Sequence, residues 1–153
     1  MEGHVSDIAR IIQLAVAPVF LLTAIGTILS ALNNRLGRIV DRRRVVEDRL
    51  RTPPAEDAVR VTEDVAELSL LAQRIRLIYQ AIMLAVLCAL LICLLVALAF
   101  LGVFITADLA KLVGTLFILA MFALIGCLGM FLREIFLAVK VGHHQLTLND
   151  VIK

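Results

Sequence analysis

Three long stretches of the chain carry no charged side chain: residues 11–34, 77–107 and 112–132. A helix needs roughly 20 mainly apolar residues to cross the hydrocarbon of a bilayer. Each stretch meets that length, so the pattern predicts an all-α membrane protein with three transmembrane helices, at 11–32, 79–105 and 112–132. The intervals differ sharply. Residues 33–78 hold ten arginines and eight carboxylates, whereas the turn at 106–111 is short. A tail at 1–10 and a segment at 133–153 complete the division.

The charged interval reads as helix. From Asn33 to Arg51 there is no proline, and charges recur at helical spacing: Arg43 with Glu47, Arg44 with Asp48, Glu47 with Arg51. Each such pair stabilises a helix by about 0.2–0.5 kcal/mol. Thr52-Pro53-Pro54 then breaks it, because proline lacks a backbone donor and restrains the residue before it. A second helix is expected from about Ala55, with Glu56 and Asp57 suited to its N-terminus. Along it Val61, Val65, Leu68, Ala72, Ile75 and Tyr79 follow at alternating steps of four and three, the spacing of a heptad seam. Leu36, Ile39, Val40, Val46 and Leu50 offer a looser apolar face on the first helix. The expectation is a cytoplasmic antiparallel helical hairpin, coiled-coil-like, with its turn at 52–54. Its seam serves either internal packing, or self-association or the docking of a partner.

Charge distribution orients the chain. Outside 33–78 the basic residues are Arg10, Lys111, Arg133, Lys140 and Lys153. Lys and Arg accumulate on the cytoplasmic side, which puts 33–78 and the C-terminus inside and the N-terminus outside. The N-terminal run lacks a basic start and a small-x-small cleavage site, so it reads as a retained span rather than a signal peptide. With 61% hydrophobic residues, the chain has no room for a separate globular enzyme domain. Cys88, Cys93 and Cys127 all fall within expected spans, without metal-ligand spacing, and read as small packing residues.

Span one carries the most informative detail. Thr23, Thr27, Ser30, Asn34, Gly37 and Asp41 recur at steps of four and three, within an arc of about 80° on a helical wheel. On the same face, towards the outside, lie Val16, Val19 and Phe20. Polar side chains within a bilayer usually face protein or a water-filled cavity. Two readings stay open. The stripe is a helix–helix contact of small residues, or several copies turn it towards a common axis as a polar vestibule closed by an apolar constriction. Pro18 frees a backbone carbonyl inside this span, and Gln13 lies one turn away. Arg35, Arg38 and Arg42 flank the stripe. They form either a basic collar at an inner mouth or an anchor against anionic lipid. In span three, Ala120, Ala123, Gly126 and Gly129 permit close helix contact.

Other chemistry is sparse. His143-His144 and His4 lack a complete ligand set. No nucleophile–base arrangement, phosphate loop or paired intramembrane carboxylate is present, so no catalysis, cofactor or metal is expected. The carboxylates interspersed through 33–78 argue against nucleic acid.

Residues 17–44, APVFLLTAIGTILSALNNRLGRIVDRRR, resemble the opening of the bacterial membrane proteins grouped as domain of unknown function 2721. Similar proteins end such a span in an Asn-Arg-Leu-x-Arg-Ile-x-Asp-Arg run, matched here by Asn34, Arg35, Leu36, Arg38, Ile39, Asp41 and Arg42. The resemblance implies a small multi-pass protein of the bacterial inner membrane and brings no activity with it. It also implies that the charged juncture does more than anchor. From one sequence, the expected function is a homo-oligomer of channel-like or transport character with helix one nearest the axis. The competing expectation is a structural or regulatory scaffold whose hairpin docks a cytoplasmic partner or anionic lipid.

Overall fold

The structure, a computed structural model, describes residues 2–51, 58–104 and 109–151, with side chains over 16–51, 60–102 and 109–139. Three helices account for nearly all of it: α1 (Glu2–Arg51), α2 (Ala58–Phe104) and α3 (Ala110–Val151). No strand occurs among the described residues. All three helices are long and apolar enough to cross a membrane. Each also runs well beyond its apolar core. α1 stays helical through Pro18 and on to Arg51, where Thr52-Pro53-Pro54 follows. The turn at 52–54 and the helix start near Ala55 lie outside the described residues, as do the side chains of His4, Gln13, His143 and His144. α3 opens with the Val113 N–H donating to the Leu109 carbonyl at 3.0 Å.

The chain divides into two compact units. The first comprises Met1–Ser30 and Ile82–Cys127. Its core is a line of side chains at helical steps: Ala85, Cys88, Ile92 and Leu95 on α2, and Leu116, Ala120, Ala123 and Cys127 on α3, with Ile25 from α1. Small residues bring α2 and α3 together. The buried Cys88 thiol donates to the Ala120 carbonyl at 3.1 Å. A methyl group placed on Gly126 would stand 3.2 Å from Leu84 Cδ1, whereas one on Gly129 would meet nothing within 4 Å. Of the small residues foreseen in span three, Ala120, Ala123 and Gly126 therefore serve packing within the chain, and Gly129 faces outward.

The second unit comprises Ala31–Ala81 and Leu128–Lys153. α1 buries Leu32, Ile39 and Val46, each a heptad apart. On α2 the buried line differs from the one foreseen. Asp64, Glu67, Leu71, Arg74, Ile78 and Ala81 turn inward to varying degrees, while Val61, Val65, Ala72 and Tyr79 are exposed and Leu68 and Ile75 sit at the flank. The physical reason is that three of the six inward positions are charged. A hydrophobicity pattern favours the neighbouring apolar line. It is blind to charges that turn inward because they are paired across helices. Among the α1 charge pairs, Arg43 meets Glu47 at 2.7 Å as expected, and Arg44 lies 3.9 Å from Asp41.

Candidate functional site

The chemistry of the second unit converges on Glu134. This is the only carboxylate between Asp108 and Asp150. Seven residues beyond Cys127, it continues the buried spacing of α3. Its side chain is 1% exposed. An isolated carboxylate buried this deeply would be strongly disfavoured unless paired and hydrogen-bonded. Two arginines satisfy it, one from each of the other helices. Arg35 on α1 donates through Nη1 to Oε2. Arg74 on α2 donates through Nε and Nη2 to Oε1, at 3.2 and 2.7 Å. The guanidinium carbon of Arg35 also lies 5.2 Å from the centroid of the Phe131 ring, within the range of a cation–π contact. No buried side-chain nitrogen or oxygen among the described residues lacks a partner.

A second pair sits seven residues further along α1 and seven residues earlier on α2. Arg42 forks onto Glu67, with Nε to Oε1 at 2.7 Å and Nη2 to Oε2 at 3.1 Å. The two sets of contacts therefore run in opposite chain directions. This pair is more exposed than the Glu134 cluster, so it contributes less.

These contacts redistribute the three flanking arginines. Arg35 is turned onto Glu134 and Arg42 onto Glu67, while Arg38 is exposed and makes no ion pair among the described residues. The stripe residues are all exposed: Thr23, Thr27 and Ser30 in the first unit, Asn34 in the second. Thr23 Oγ1 donates to the Val19 carbonyl at 3.4 Å and Thr27 Oγ1 to the Thr23 carbonyl at 3.1 Å. Val16, Val19 and Phe20 are also exposed, Phe20 at 72%. Among the described residues, no group of three or more His, Cys, Asp or Glu is placed to hold a metal ion.

Sequence reasoning missed Glu134 and Arg74. Both stand beside another arginine, as Arg133-Glu134 and Arg74-Ile75-Arg76, and read as ordinary boundary charge. The signal for Glu134 was its register. Extending the steps through Leu116, Ala120, Ala123 and Cys127 leads to position 134.

A family model described as protein of unknown function (DUF2721) matches residues 15–143. The chain belongs to the DUF2721 family. The matched range contains Arg35, Arg74 and Glu134, so the buried cluster lies within the part of the chain that defines family membership. No curated protein and no solved structure matches the chain.

Proposed function

We propose that this DUF2721 protein is a homo-oligomer of the bacterial inner membrane with channel-like character and α1 nearest the axis. The observation that carries the reading is the outward exposure of Thr23, Thr27 and Ser30 in the unit that also holds the apolar cores of α2 and α3. A single chain offers this polar line to lipid. Self-association would turn it towards other copies, where polar groups within a bilayer usually lie. Val16, Val19 and Phe20 would then form the apolar narrowing, and Asn34 would continue the line inward. Closed rings are the common symmetric outcome of such association. The arginine-rich interval supports an orientation with 33–78 and the C-terminus in the cytoplasm and the N-terminus outside. Arg42 on α1 meets Glu67 on α2, and Arg35, earlier on α1, shares Glu134 with Arg74, later on α2; this opposed order supports a cytoplasmic helical hairpin. Of the three arginines flanking the stripe, Arg38 is the one with no carboxylate partner among the described residues.

The test is flux into liposomes carrying the purified protein. Thr27→Leu and Ser30→Leu reduce ion flux while leaving the assembly intact if the stripe lines a path. Unchanged flux removes the vestibule. A second reading is a scaffold that docks a cytoplasmic protein. It is favoured by the exposed apolar residues Val61 and Val65 on the α2 part of the charged interval. Under that reading, Val65→Lys abolishes co-purification of a defined partner and leaves flux untouched.

A further inference from the structure

The Glu134 cluster is not balanced in charge. Two guanidiniums face one carboxylate, an excess of one positive charge among the described residues. Its place along the chain is also specific. Arg35 directly follows the uncharged run 11–34, Arg74 stands three residues before the run 77–107, and Glu134 two residues after the run 112–132. All three therefore belong to the same edge of the bilayer, where lipid phosphates lie. The arginines are not used up. Arg35 Nε and Nη2 and Arg74 Nη1 donate to no acceptor among the described residues. The side chains are 32% and 20% exposed.

We propose that Arg35 and Arg74 together bind the phosphodiester of an anionic phospholipid headgroup. Glu134 holds the two guanidiniums in fixed orientation, and Phe131 supports the Arg35 plane. A phosphodiester carries one negative charge, which neutralises the cluster. Its oxygens accept the forked donors that a guanidinium presents. A zwitterionic choline headgroup brings its own cation against the arginines and is disfavoured. The proposal rests on the membrane reading above but not on self-association, so lipid retention and subunit mass fail separately.

The test is native mass spectrometry of the full chain, purified in mild detergent with equal amounts of phosphatidylglycerol and phosphatidylcholine. The wild type retains phosphatidylglycerol over phosphatidylcholine by about tenfold or more, because the choline cation meets the surplus positive charge. Arg35→Gln and Arg74→Gln remove the surplus positive charge, and each abolishes most of that preference; Arg35→Lys and Arg74→Lys keep the charge but lose the fork, and lower the retention of both lipids. Arg38→Gln keeps the preference. The proposal is overturned if the wild type shows no preference, a result independent of whether any variant folds. It is also overturned if Arg38→Gln alone removes the preference, or if sodium phosphate is retained in place of lipid.

Discussion

Arg74 on α2 places two of its nitrogens on one oxygen of Glu134 on α3, Nε at 3.2 Å and Nη2 at 2.7 Å. The other carboxylate oxygen is taken by Arg35 on α1. One buried carboxylate thus ties three helices together within one unit. Removing one partner of a buried ion pair typically costs about 3–5 kcal/mol, because the remaining charge is left unpaired. Here the arginines keep partial access to solvent, so Glu134→Ala is expected at the lower end, about 3 kcal/mol. Denaturant unfolding in detergent measures it. Replacing Arg35, Arg74 and Glu134 together by leucine recovers most of that loss, since apolar replacement of a whole buried cluster is often neutral or better.

The Arg42–Glu67 pair calls for a different outcome. It is partly open to solvent, and exposed ion pairs contribute about 0.2–1 kcal/mol. Arg42→Glu lowers the unfolding midpoint slightly, through loss of the fork and repulsion with Glu67. The exchange Arg42→Glu with Glu67→Arg restores most of it. If the double exchange is no better than the single change, the two side chains do not meet.

Two glycines on α3 separate packing from propensity. Gly126 stands close to Leu84, and Gly129 has open space. Gly126→Leu forces α2 and α3 apart and lowers thermal stability, in line with overpacking costs of about 1–3 kcal/mol. Gly129→Leu leaves stability unchanged or raises it, because glycine is a poor helix former. Circular dichroism melts of the two variants decide between these outcomes, and equal effects would contradict the contact at Leu84.

The two candidate faces of α2 are tested by one pair of substitutions. Leu71→Asp places a carboxylate at a buried apolar position of α2 and destabilises the chain. Val65→Asp, on the exposed face, does not. The reverse order would restore the face foreseen from sequence.

The membrane spans were legible in the sequence because burial in lipid demands long uncharged runs, and three such runs are hard to mistake. The continuation of α1 to Arg51 was legible too, from the absence of proline and the spacing of charges. The inward face of α2 was not. Glu67 and Arg74 turn inward because partners on other helices neutralise them, and hydrophobicity carries no information about partners 25 or 60 residues away. The same limit concealed Glu134, whose register pointed inward while its charge pointed outward. The polar stripe of α1 was legible as a line on one face. That it faces away from the chain's own core depended on knowing that Ile25 is buried.

The central claim is that the outward stripe of α1 meets other copies of the same chain. The most direct measurement is the protein-only mass of the complex purified in mild detergent, by light scattering corrected for bound detergent. The account predicts one closed species of four or more subunits, unchanged by Thr27→Leu on the stripe. A monomer or dimer would leave no central path and would contradict it.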